Sequence, residues 1–210
     1  DYSTFIGSSG DDQANDIIIP SSSNDTDSVF VTGTASENFP TNTGSSYGGG
    51  LSDVFTTHLE LDTLDWSTVD YSTLLGGSEG DFGQSISVDA VGNVYVTGYT
   101  TSDNFPTTAG IYQTDNSGSY DVFISKLSSN LSQLLSSTYI GGSGGDYGLS
   151  ISVNSISDVD YVYVVGRSAS TNFPTTNDAY QTSRAGSYDC LLYTSDAADE
   201  GLGVDLCGRR

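Results

Sequence analysis

The sequence predicts an all-β fold: four-stranded antiparallel sheets repeated as blades of a β-propeller, with two near-complete blades and parts of others in the chain. Three observations carry this. First, landmarks recur in order at a long period. Asn38-Phe39-Pro40 returns as Asn104-Phe105-Pro106 and Asn172-Phe173-Pro174, at offsets of 66 and 68. Val31-Thr32-Gly33 returns as Val96-Thr97-Gly98 and Val164-Val165-Gly166, and Asp53-Val54-Phe55 returns as Asp121-Val122-Phe123, with Asp189 opening a third copy. A fixed long period marks a repeat architecture. Second, each period holds four short strand patterns and no helical periodicity. Third, Val94-Tyr95-Val96 and Val122-Phe123-Ile124 are apolar at consecutive positions. Such strands need burial on both faces, which a sheet packed between two like sheets supplies.

Taken in order, residues 1–9 match Tyr71–Ser78 and read as the last strand of a preceding blade, so the chain reads as a fragment of a longer ring. Repeat one covers 10–76. Its strands are expected around Ile17–Ile19, Ser28–Thr32 and Asp53–Leu59 and within Trp66–Leu75. Repeat two covers 77–141 and is the clearest. Ser85–Asp89 alternates with period two, Ala90-Val91-Gly92-Asn93 supplies a hairpin turn, and Val94–Tyr99 is β-branched and aromatic. Residues 101–119 form a long loop before the strands Asp121–Leu127 and Leu134–Ile140. Repeat three covers 142–189, and its first hairpin, Asn154–Asp160, reads as longer and more acidic.

The composition narrows the function. Twenty-seven acidic residues face five Lys and Arg, for a net charge of −22. That argues against nucleic acid, whose phosphates need basic partners, and against an anionic membrane surface. No run is apolar for long enough to span a bilayer. Abundant Ser, Thr, Gly and Asn with almost no Lys suit an extracellular or cell-surface β-protein, and a solvated surface is the simplest account of the charge.

Residues 190–210 break the pattern. A strand like Val122–Leu127 is due after Asp189, yet the chain reads CLLYTSDAADEGLGVDLCGRR. CLLYTSDAADE resembles the conceptual translation of a transposon-derived sequencing adapter. VDLCGRR resembles a second such translation, usually VDLGGRR. The tail is therefore set apart as adapter-derived. It holds four of the acids and two of the bases, leaving residues 1–189 with a charge of −20.

The remaining 189 residues resemble a known family. YSTLLGGSEGDFGQSISVDAVGNVYVTGYT, followed by NFPTT and YDVFISKL, is similar to the bacterial β-propeller repeat SBBP. Copy one departs most, with Gly7-Ser8 in place of Gly-Gly. The resemblance implies a propeller of the kind found in secreted and surface-attached bacterial proteins, and it implies no particular reaction.

Candidate chemistry is sparse. His58 is the only histidine and takes the place of Lys126 on a strand, so a rim position is expected. Gly141-Gly142-Ser143-Gly144-Gly145-Asp146 matches the opening of a calcium-binding nonapeptide, but it recurs about every 65 residues rather than every nine and reads as a glycine turn. Asp25, Asp27, Asp158 and Asp160 fall in hairpins and are the candidate Ca²⁺ ligands, with solvated loop charge as the competing account. No other cofactor is expected.

Alternating strand direction places the Asn-Phe-Pro loops and the blade-to-blade glycine turns on one face. That face collects Asp12, Asp81 and Asp146 together with Phe39, Phe105 and Phe173. Aromatics beside carboxylates suit a glycan or a cation. The competing reading is structural: each Asp holds its turn and each Phe plugs a gap between blades. The expected function is a non-enzymatic scaffold or binding module for a glycan or protein partner, docked on the further blades of its own chain. The alternative is a polysaccharide-acting enzyme whose catalytic groups lie in other blades.

Overall fold

The computed structural model of the protein describes residues 3–20, 28–60, 70–157 and 159–196. Eleven strands fill them, with no helix among the described residues. The first sheet runs in the order β1 (Gln13–Ile18), β2 (Ser28–Ala35), β3 (Asp53–Glu60), β4 (Tyr71–Leu75). The second follows the same plan with β5 (Asp81–Val88), β6 (Val94–Thr100), β7 (Asp121–Leu127) and β8 (Leu134–Ile140). The third contains β9 (Asp146–Ile156), β10 (Val159–Ser168) and β11 (Asp189–Asp196). All pairing within sheets is antiparallel. Sequence neighbours pair throughout, and each sheet packs on the next, which is the blade plan of a propeller.

The consecutive apolar residues divide between the two sheet faces as the pleat requires. Val94, Val96 and Phe123 join a core shared with Phe30, Val54 and Leu75 of the first sheet. Their neighbours Tyr95, Val122 and Ile124 join a second core with Ile151, Val162, Val164 and Leu191 of the third. The middle blade is thus buried on both sides. The outer sheets leave Ile17 and Ile19, and Tyr163, Val165 and Leu192, exposed.

Each inner strand starts four to six residues before its expected apolar core and carries a bulge near its start. The register breaks between Ala14 and Asp16, between Gly83 and Ser85, and opposite Val165/Gly166. Strand two approaches so closely there that it needs a glycine. A methyl group on Gly33, Gly98 or Gly166 would run into the carbonyl oxygen of Gln13, Phe82 or Tyr147. The repeated Val-x-Gly landmark is therefore a packing requirement.

Three expectations change. Residues 3–9 form no strand, although 1–9 match Tyr71–Ser78. A fourth strand pairs with a third, as β4 does with β3, and the described residues hold no strand beside them. The long acidic hairpin of repeat three is mostly ladder: β9 runs to Ile156 and β10 starts at Val159. The third sheet also does not stop at Asp189. Cys190–Asp196 continue β11 along β10, with Leu191 and Tyr193 buried and Leu192 67% exposed. The alternation Leu-Leu-Tyr meets the two-residue period of an antiparallel edge. Residues 197–210 of that tail lie outside the described residues.

Gly98→Ala is expected to destabilise the protein by about 1–3 kcal/mol, since the new methyl also meets the Phe123 ring. A lowered urea midpoint would register this, whereas an unchanged midpoint would mean the strands can part at no cost.

Candidate functional site

Strands one and three of each blade start on the same face, and an aspartate stands at the head of each. Asp81 is wholly buried. Its carboxylate accepts hydrogen bonds from the Gly77 N–H at 2.7 Å, from the Ser102 hydroxyl at 3.0 Å and from the Thr100 hydroxyl. Asp146, also wholly buried, accepts from the Gly142 N–H at 2.8 Å and the Ser170 hydroxyl at 2.6 Å. Asp12 accepts from the Ser8 and Ser36 N–H groups and the Ser36 hydroxyl. In all three copies the aspartate ties the glycine turn to the serine two residues before the Asn-Phe-Pro asparagine. That asparagine reaches back: Asn104 accepts from the Ser78 N–H at 2.8 Å, and Asn172 from the Ser143 N–H at 2.8 Å. The Asn-Phe-Pro loops and the glycine turns therefore share a face.

The aspartates heading strand three do the same for the preceding loop. Asp121 accepts from the Ser117 N–H at 2.9 Å and the Gln113 amide at 2.7 Å, and Asp189 from the Ala185 N–H and the Gln181 amide, both at 2.7 Å. Asp53 accepts from the Gly48 N–H at 2.6 Å. A side chain on Gly76 would fall on the Asp53 carboxylate, and one on Gly141 would fall on that of Asp121.

These placements redistribute the expected site. Asp81 and Asp146 lie inside their own turns, where a ligand could reach them only by opening the turn. Phe39 and Phe105 are buried, the first stacked on Phe55 at 4.5 Å and the second tilted against Phe123 at 4.6 Å. Phe173 is half-buried against the core between the second and third sheets. Asp25, Asp27 and Asp158 lie outside the described residues. Asp160 is part of a clasp on the opposite face: it accepts from Ser155 at 2.6 Å, Tyr95 at 2.9 Å and Lys126 at 3.0 Å. Lys126 also reaches Asp89 at 3.2 Å, so this clasp joins the second and third blades. His58 lies between the rings of Phe30 and Tyr71, at 4.5 and 5.9 Å. The acidity is not all solvated surface either, since Asp53, Asp81, Asp89, Asp121 and Asp146 are buried.

What the face does present is aromatic. Phe82, Tyr99, Tyr120 and Tyr147 are half-buried, and Tyr188 is 48% exposed. Phe82 stacks on Tyr99 at 4.9 Å, and Tyr120 on Tyr147 at 5.2 Å. Tyr99 meets Tyr147 edge-on at 4.9 Å across the blade junction. The exposed Arg167 guanidinium lies over Tyr147 at 4.5 Å and Tyr188 at 4.9 Å. Burial first, then the Tyr188 hydroxyl, pushes the Tyr147 phenol up to about 12. Burial raises Tyr99 as well, with Tyr120 adding to it. Both hydroxyls stay neutral at physiological pH, able to donate and to accept.

These residues sit one position from landmarks present in all three copies, in columns that the first copy does not share. After the turn aspartate stand Gln13, Phe82 and Tyr147. After the Val-x-Gly glycine stand Thr34, Tyr99 and Arg167. Before the strand-three aspartate stand Ser52, Tyr120 and Tyr188. Blades two and three carry the platform, and the first copy is polar at every equivalent position. Comparing these columns in the sequence would have exposed it. A search for recurring or acid–base residues passes over it.

The buried aspartates make stability pH-dependent. Burial raises Asp53 to about 7, against the Gly48 N–H bond and with Asp81 adding repulsion. Burial likewise raises Asp121 to about 6, opposed by Ser117 and Gln113, with Asp146 adding to the rise. In the unfolded chain both ionise near 4. Between about pH 4 and 7 the folded protein holds more protons than the unfolded chain, so stability falls as pH rises through that window. Asp12 has the opposite sign: despite burial, the Ser8 and Ser36 bonds lower it, and its contribution is lost only in stronger acid. The thermal midpoint should be higher at pH 5 than at pH 8, and Asp53→Asn should narrow the gap. An unchanged gap in the variant would assign the dependence to other groups.

No curated protein matches the chain. Residues 70–106, from the start of β4 through the glycine turn and the β5–β6 hairpin to the Asn-Phe-Pro loop, match the family model SBBP, described as a beta-propeller repeat. Residues 70–106 thus carry a beta-propeller repeat, in keeping with the four-stranded antiparallel blade plan of the sheets around them.

Proposed function

We propose that the chain is a non-enzymatic extracellular or cell-surface binding module that takes a glycan on the aromatic platform of blades two and three. One observation carries this reading: the Phe82, Tyr99, Tyr120, Tyr147 and Tyr188 cluster gathers aromatic rings at the junction of blades two and three, where the first copy is polar at the equivalent positions, while the turn aspartates and Asn-Phe-Pro loops occur in all three copies. A structural need recurs in every blade, whereas a ligand contact need not. Half-exposed tyrosines offer flat apolar rings with neutral hydroxyls at their rims. A sugar has the matching form, a C–H face ringed by hydroxyls. The Ser-, Thr-, Gly- and Asn-rich, Lys-poor composition supports an extracellular setting.

Tyr99→Ala and Tyr120→Ala should each weaken binding of neutral and acidic oligosaccharides by about tenfold or more, the loss expected of a central aromatic anchor. Calorimetric titration alongside thermal melts would measure it. Unchanged affinity in a folded variant would remove the platform from the binding surface.

A further inference from the structure

We infer that the platform selects glycans bearing isolated carboxylates, that is, uronic acid residues, and that Arg167 is the residue that selects them. The inference rests on the glycan reading above and adds a ligand class to it. Arg167 is exposed, at the end of β10, in a chain of 27 acids and five Lys and Arg. In such a chain a guanidinium has many carboxylates to choose from, yet among the described residues the ion pairs belong to Lys126 alone. The nearby turn aspartates accept from backbone N–H groups, a serine hydroxyl and the Gln181 amide rather than from Arg167. Arg167 instead lies over two tyrosine rings, at 4.5 and 4.9 Å.

The ring contacts engage the charge of the guanidinium rather than its N–H groups, which stay available to grip a carboxylate with two parallel bonds. The rings also shield one side of the cation from water, which strengthens such a bond. A uronate carries its carboxylate at the rim of the sugar ring. A sugar set against the exposed Tyr188 ring, which the guanidinium contacts at 4.9 Å, brings that carboxylate to Arg167. The equivalent position is Thr34 in blade one and Tyr99 in blade two, so only blade three carries a cation in this column, while Arg184 of the same face donates to the Gly186 and Ser187 carbonyls of its own loop. The net charge of −22 repels densely charged polyanions and leaves sparsely carboxylated glycans as the matching class.

The test titrates the full chain with xylotriose bearing a single glucuronic acid, its methyl ester and its carboxyl-reduced neutral counterpart. The expected result is about tenfold tighter binding of the free acid. Arg167→Gln should abolish that preference while neutral binding persists, and Arg167→Lys should keep only part of it because an ammonium lacks the planar fork. Equal affinity of the unaltered chain for all three ligands overturns the inference, and so does a preference that survives in Arg167→Gln. Equal competition by an acidic peptide overturns it too, since a glycan site would then be a general carboxylate site. Should Arg167→Gln fail to fold, the acid-against-ester comparison on the unaltered chain decides alone. Failure of the glycan reading looks different: Tyr120→Ala would then leave binding of every sugar unchanged.

Discussion

A buried carboxylate at the head of a strand, accepting N–H bonds from the turn before it, is the interaction on which the rest of this structure depends. Two long connections reach the same face of each blade, and the backbone bonds they make to strands are few, such as Thr108 N–H to the Ser137 carbonyl and Tyr139 N–H to the Gln113 carbonyl. Asp81 and Asp146 supply acceptors for the glycine turns, and Asp53, Asp121 and Asp189 for the loops before strand three. Each bond between a carboxylate and an N–H is stronger than one between neutral groups and offsets part of the cost of burial, the remainder showing in the raised Asp53 and Asp121 carboxyls. The same residues join blades through the backbone. The Asp81 N–H donates to the Ser52 carbonyl at 2.8 Å, and the Asp146 N–H to the Tyr120 carbonyl at 2.7 Å.

Burying so many carboxylates together has a consequence. Burial first, and then the charge of Asp81 near Asp53 and of Asp146 near Asp121, raises the Asp53 and Asp121 carboxyls. Acidity in this chain thus has two parts. One is solvated charge on the surface. The other is a set of turn anchors whose proton uptake is linked to folding.

The two faces of the blades are held differently. The loop face uses aspartate, serine and asparagine in repeating positions. The opposite face joins blades two and three through Lys126, Asp89, Asp160 and Tyr95. In the first sheet His58 stands where Lys126 would, packed between Phe30 and Tyr71. Because the repeated bonds secure the loop face, neighbouring positions there are free to vary. The aromatic platform occupies that freedom: each of its residues flanks an anchor without being one.

The sequence by itself determined the repeat, the four-strand unit and the burial of the middle blade on both faces. Those follow from local pattern: a period near 65 residues, alternation of side chains along a strand, and apolar runs that fit only between two sheets. It also placed the Asn-Phe-Pro loops and glycine turns on one face, since antiparallel order alone fixes which ends meet. Only the tertiary structure decided which residues on that face are accessible. Asp81 and Phe105 read as candidate contacts yet are buried, because the turn N–H groups claim one and the core between blades claims the other. Tyr99, Tyr147 and Arg167 lie 48 to 68 residues apart except for one gap of 20, and they meet only when blade three packs against blade two. A contact across a blade junction leaves no period in the chain, so packing had to reveal it.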